Sequence, residues 1–145
     1  MTGVQTCALP ILEALQQGPG CAPAEIVLDN GSGRSREERI TAHCLARVMQ
    51  WSWAQPWMPE LLASLPVAGV DGTARRAVAA SGRAHVKTGS LANVAALAGW
   101  IHLPNGRRVV LVAFINHPLA AQREARAALD AVVQWVLDDK ELNAP

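Results

Sequence analysis

The chain has 145 residues, 50% apolar and 17% charged, with a formal net charge of +1. That length buries one modest core, and its scattered arginines leave no electrostatic footprint for nucleic acid or an acidic partner. The longest apolar stretch, around Val109 to Ile115, suits a strand and is too short for a membrane span.

From the N-terminus, Thr2-Gly3-Val4-Gln5-Thr6-Cys7-Ala8-Leu9-Pro10-Ile11 reads as one frame of a common short-read sequencing adapter. Residues 1–11 are therefore expected to be foreign to the fold, with 12–145 as the protein proper. No charged and then apolar leader opens the chain, and a foreign start would make that uninformative about secretion. With Cys7 set aside, Cys21 and Cys44 remain. The pair would permit a disulfide in an oxidising compartment, but Cys44 falls on a predicted amphipathic helix, where a buried free thiol is expected. His43, His85, His102 and His117 have no spacing that would hold a metal with these cysteines, so no metal and no cofactor is expected.

Ala24 to Leu28 is a short strand-like run. Thr41 can cap a helix reaching about Trp53, with Ile40, Cys44, Leu45, Val48 and Met49 along one side. Pro56-Trp57-Met58-Pro59 breaks it, and Glu60 to Ser64 suits one short helix. Trp51, Trp53 and Trp57 near that break suggest packing more than a carbohydrate platform. Gly69 to Gly82 is loop-like, with a helical turn near Arg75 to Ala79. Ala84 to Thr88 predicts a strand. Val94 to Leu103 and Arg107 to Ile115 predict a hairpin turned by Pro104-Asn105-Gly106, where Asn-Gly tolerates positive φ. Gln122 to Leu137 predicts an amphipathic helix with Ala125, Ala128, Leu129, Val132, Val133 and Val136 on its apolar side. Helices, three antiparallel strands and a covering helix make an α+β layered fold.

The chemistry concentrates in His85-Val86-Lys87-Thr88-Gly89-Ser90. Only two lysines exist, Lys87 and Lys140, and one of them opens Lys-Thr-Gly. An ammonium and a hydroxyl side by side on a strand can grip a carboxylate, and the glycine lets a substrate backbone lie close. Gly31-Ser32-Gly33 is not a phosphate loop, because no Gly-Lys-Ser/Thr follows it.

Lys-Thr-Gly is one of three motifs that penicillin-binding proteins and serine β-lactamases assemble around an acylated serine. Together with Gly69-Val70-Asp71-Gly72-Thr73-Ala74-Arg75 and Val94 to Trp100, the segment resembles the D-Ala-D-Ala carboxypeptidase/endopeptidase family (peptidase family S13, penicillin-binding protein 4 type). Asn30 to Arg36, followed by Ile40-Thr41, looks like that family's second-motif region. The resemblance runs from about Glu25 to Val136. It implies part of the penicillin-binding/β-lactamase-like fold, an antiparallel sheet covered by helices.

The resemblance also implies roles. Lys87 would stabilise developing negative charge and hold the nucleophile's base. Thr88 and Ser90 would bond the carboxylate of a terminal D-alanine, Gly89 would admit the substrate backbone, and the backbone near Ser90 would supply an oxyanion donor. Ser35 is the candidate second-motif serine, its hydroxyl lying between Lys87 and the nucleophile's lysine to pass a proton to the leaving amine. The family's asparagine is out of register, since Arg36, Glu37 and Glu38 follow, and Arg34 replaces a leucine. Ser32 is the other candidate, and both serines could instead cap a turn and a helix. The Tyr-x-Asn variant is excluded by the absence of tyrosine. Ser-x-x-Lys is absent, because Ala84 and Leu137 stand three residues before the two lysines; the family places it well upstream. The expectation is a C-terminal fragment of a periplasmic enzyme acting on peptidoglycan peptides that end in D-Ala-D-Ala. The full-length protein would be acylated by β-lactams, and the fragment alone would be inactive. The alternatives are a non-catalytic cell-wall peptide-binding module, or a β-lactamase or esterase relative.

Overall fold

A computed structural model describes residues 5–30, 35–76 and 80–144, which divide into two units, Met1–Gln55 and Pro56–Pro145. In the first, helix α1 (Gln5–Gln17) leads through a 3-10 turn (Pro23–Glu25) to strand β1 (Ile26–Val27), which pairs antiparallel with β2 (Arg39–Ile40) before helix α2 (Ala42–Trp53). Thr41 caps α2 as expected, its hydroxyl accepting the Cys44 amide at 3.0 Å. Glu25 ties three segments together. Its carboxylate accepts from the Ala22 amide and the Thr41 hydroxyl, and it is ion-paired with Arg47. The Ala22 amide and then Arg47 hold its carboxyl below the usual value.

The expectation of a free Cys44 thiol is overturned. Cys21 and Cys44 form a disulfide with their Cα atoms 5.3 Å apart. The turn after α1 brings Cys21 onto the same side of α2 that carries Cys44. The bridge sits in a small core with Ile26, against which Leu12, Leu15, Leu28, Ile40 and Val48 pack. Trp51 lies against Gly18, where a Cβ would come within 2.8 Å of its ring.

The second unit holds helix α3 (Met58–Ala63), a 3-10 turn (Gly72–Arg76), three strands β3 (Ala84–Leu91), β4 (Val94–His102) and β5 (Arg108–Asn116), and helix α4 (Arg123–Asp138). The strands form one antiparallel sheet in the order β3-β4-β5, with Lys87 opposite Ala98 and Thr88 opposite Leu97. This is the α+β arrangement that the pattern of elements predicted. β3 runs three residues past the predicted end, because Gly89, Ser90 and Leu91 keep pairing with Ala96, Ala95 and Val94. In the β4–β5 connection only Gly106 takes positive φ, at 83°. Asn105 instead uses its side chain, accepting from the Arg107 amide and donating to the carbonyls of Leu142 and Ala144. Arg107 also donates to the Leu142 carbonyl.

One sheet face is the core. Ala84, Val86, Ala95, Leu97 and Ile101 are buried there with Leu129, Val133 and Val136 of α4. The buried side of α4 is narrower than predicted: Ala128 and Val132 are exposed. A single helix over a three-stranded sheet presses one row of side chains inward, and the flanking row stays outside. Gly99 makes the closest approach in the sheet. A Cβ there would stand 2.2 Å from the His85 carbonyl oxygen and 2.7 Å from the Val86 Cα.

On the opposite face His85 and His102 meet edge to face with ring centroids 5.6 Å apart. Nδ1 of His85 and Nε2 of His102 are buried and, among the described residues, have no hydrogen-bond partner. Burial, and then the charges of His85 and Arg108, push the His102 pKa down from 6.5.

Three outcomes are expected. Gly99→Ala forces backbone apart and should lower stability by about 1–3 kcal/mol in chemical denaturation. Removal of residues 1–11 should leave the thermal midpoint almost unchanged if that segment is foreign to the fold, because Ile11 is 51% exposed and the retained Leu12 and Leu15 pack against the disulfide core. For His102, the unfolded state binds the proton more readily than the folded one, so stability is full above the unfolded pKa. It should therefore fall as pH drops below 6.5 and through the lower folded value, and His102→Gln should flatten that slope in denaturation midpoints measured against pH.

Candidate active site

β3 has β4 along one side only. On its other edge a short strap covers the first half: the Ala68 amide donates to the Ala84 carbonyl at 2.8 Å, and the Val86 amide to the Pro66 carbonyl at 2.9 Å. Those bonds show that the even-numbered backbone groups of β3 point outward. By strand alternation the N–H and C=O of Thr88 and Ser90 point the same way. Among the described residues no backbone group pairs with them on that edge. The open half of the edge therefore presents a row of donors and acceptors where an extended peptide could add, and the Ser90 amide is an available oxyanion donor.

The side chains follow the same alternation. Thr88 and Ser90 share the face of Val86 and lie under α4, while Lys87 and Gly89 lie on the other face. The expectation that ammonium and hydroxyl stand side by side is corrected accordingly, since consecutive strand residues point to opposite faces. Lys87 still reaches the edge by curling over it: Nζ donates to the Thr88 carbonyl at 3.1 Å. The ammonium and the two hydroxyl-bearing residues thus flank one open edge from its two sides. Gly89 leaves room beside Lys87, where a Cβ would meet only Ala96, at 3.4 Å.

Behind Thr88 and Ser90 lies a recess of about 40 Å³, bordered by Thr73, Leu97, Arg126 and Asp130. The Thr88 hydroxyl donates to that of Thr73 at 2.7 Å. Burial raises the pKa of Asp130, an effect that the Arg126 charge opposes. Sequence reasoning marked Gly69 to Arg75 as a family element but gave Thr73 no role, and it missed Arg126 and Asp130. Only their i, i+4 spacing at the start of α4 hinted at a shared face.

Ser35 belongs to the first unit. Its hydroxyl donates to Asp29 at 2.6 Å and accepts the Glu37 amide at 3.0 Å, so it staples its own loop. Ser32 lies outside the described residues. Among the described residues no group of three or more His, Cys, Asp or Glu side chains could hold a metal ion, and no helix is long and apolar enough to cross a membrane.

Known proteins resemble this chain in sequence and in fold. The sequence is 34% identical over 132 residues to a D-alanyl-D-alanine carboxypeptidase of an Actinomadura species, covering 83% of this chain and 24% of that protein. It is 28% identical over 135 residues to the D-alanyl-D-alanine carboxypeptidase DacB of Haemophilus influenzae, covering 86% of this chain and 27% of that one. The chain thus spans about a quarter of the length of these relatives. The crystal structure of penicillin binding protein 4 from Haemophilus influenzae superposes with a TM-score of 0.76 at 28% identity, over 97% of this chain and 32% of that one. A predatory endopeptidase of Bdellovibrio bacteriovorus shares the fold, with a TM-score of 0.71 at 17% identity over 94% of this chain and 37% of that one. The model of the D-Ala-D-Ala carboxypeptidase 3 (S13) family matches residues 3–136, nearly the whole chain, and the chain belongs to that family.

Proposed function

We propose that this chain is the carboxylate-reading part of a serine-type D-Ala-D-Ala carboxypeptidase/endopeptidase that cleaves peptidoglycan peptides through an acyl-enzyme. The observation that carries the reading is the half-open edge of β3, where the backbone of Thr88 and Ser90 faces outward and Lys87 reaches over it. A peptide laid along that edge pairs its main chain with β3 and brings its terminal carboxylate to Thr88 and Ser90. Charge-assisted bonds of that type contribute about 1.5–3 kcal/mol each, enough to select a free C-terminus. The Ser90 amide and Lys87 then face the oxygen on which negative charge develops as the scissile carbonyl is attacked.

The attacking serine and its lysine come from Ser-x-x-Lys in the longer protein. The full-length enzyme is accordingly acylated by β-lactams, which carry a carboxylate for the same clamp. The Cys21–Cys44 disulfide supports an oxidising compartment, and we place the enzyme in the periplasm.

For Ser35 two roles are in play, proton relay in the assembled site and loop staple. The bonds to Asp29 and Glu37 favour the staple. Ser35→Ala in the full-length enzyme separates them: a relay predicts slow acylation at unchanged melting temperature, and a staple predicts a lowered melting temperature.

The central test is labelling by a fluorescent penicillin. The 145-residue chain should take up no label, since loss of the nucleophile in such chemistry costs roughly six orders of magnitude in rate. Joined to its upstream region it should label stoichiometrically, and Lys87→Ala should slow that by at least about a hundredfold. Stoichiometric labelling of the chain alone, or indifference to Lys87→Ala, would sink the proposal.

A further inference from the structure

We infer that Thr73 is a positioning residue of the carboxylate clamp, its hydroxyl fixing and polarising that of Thr88. The inference rests on the reading of Lys87 to Ser90 as that clamp. Three observations support it. The two hydroxyl oxygens lie 2.7 Å apart, a hydrogen-bond separation. Both residues border the recess behind Ser90. The turn that carries Thr73 is fastened to the strap that pairs with β3: Asp71 accepts the Val67 amide at 2.6 Å, and the Gly69 amide donates to the Ala74 carbonyl at 3.0 Å. Gly69 holds φ at 73° there, against Ser81. Thr73 is thus presented to Thr88 by the element that also terminates the covered half of the edge.

The chemistry of two hydroxyls gives the contact a function. Either hydroxyl of the pair can donate, and when Thr88 donates to Thr73 its proton is not offered to a ligand. A carboxylate accepts only, and it must take that proton. Each hydroxyl can rotate, and the pair can then run in the opposite sense: Thr73 donates to Thr88 Oγ1, and Thr88 donates to the carboxylate. Two bonds in the same sense polarise one another, which strengthens the outer one. They also hold Thr88 in one staggered rotamer. Arg126 and Asp130 bring opposite charges to the recess, so its net charge does little to select an anion. Oriented hydroxyls and the Lys87 ammonium carry that selection.

The test uses the 145-residue chain and an acetylated tripeptide ending in D-Ala-D-Ala, titrated by NMR as the free acid and as the C-terminal amide. Thr73 is exposed, so Thr73→Val should fold. It should weaken binding of the acid about three- to tenfold and leave binding of the amide unchanged, while Thr73→Ser should restore the affinity for the acid. Three-bond couplings of Thr88 should report a single χ1 rotamer in the unsubstituted chain and in Thr73→Ser, and averaging in Thr73→Val. Thr88→Val should cost at least about tenfold for the acid. If the unsubstituted chain fails to bind the acid, binds acid and amide alike, or is indifferent to Thr88→Val, the clamp reading fails and this inference falls with it. If Thr88→Val weakens binding while Thr73→Val changes neither affinity nor couplings, the inference alone is overturned.

Discussion

Everything at the candidate site depends on β3 being paired, among the described residues, along one whole side and only half of the other. A strand hydrogen-bonded on both edges would have no backbone left for a ligand, and one free on both would lack a fixed direction. The strap at Pro66 to Ala68 divides the outer edge at Val86, one residue before the lysine. Upstream, the backbone serves the fold; downstream, it is available. The position of that division places Lys87, Thr88 and Ser90 together on usable backbone.

The rest of the second unit keeps that edge straight and in register. Gly99 lets β4 approach β3 more closely than any side chain would permit. Leu129, Val133 and Val136 press α4 onto the face that carries Thr88 and Ser90, so the recess behind those hydroxyls has a rigid wall. Ala95, the small residue of β4 paired with Ser90, leaves space that the recess occupies. Packing and site are thus two uses of one residue pattern.

The sequence made some of this legible and hid the rest for identifiable reasons. Lys87 to Ser90 stood out because a rare residue type opened a motif on a predicted strand, and the capping of α2 by Thr41 followed from local chemistry alone. The partial exposure of α4 was hidden because periodicity shows an apolar stripe without the width of the sheet beneath it. The disulfide was hidden because a cysteine on an amphipathic helix has the same local signature whether bridged or free; only the turn after α1 decides it. The contact of Thr73 with Thr88 was unreadable, since it joins hydroxyls fifteen positions apart along the chain.

The side chain of Asn105 binds the carbonyls of Leu142 and Ala144, and Arg107 adds a bond to Leu142. The end of the described chain is therefore moored to the β4–β5 turn. β4 leaves Ser90 at its start and reaches that turn at its finish, so the mooring lies at the far end of the sheet from the open edge. A surface linker or fusion joined after Ala144 would leave from a fixed point and hold the unit in a defined orientation, with the half-open part of β3 at the opposite end of the sheet. The fold supplies its own handle for immobilisation, as far from the candidate site as the length of β4 allows.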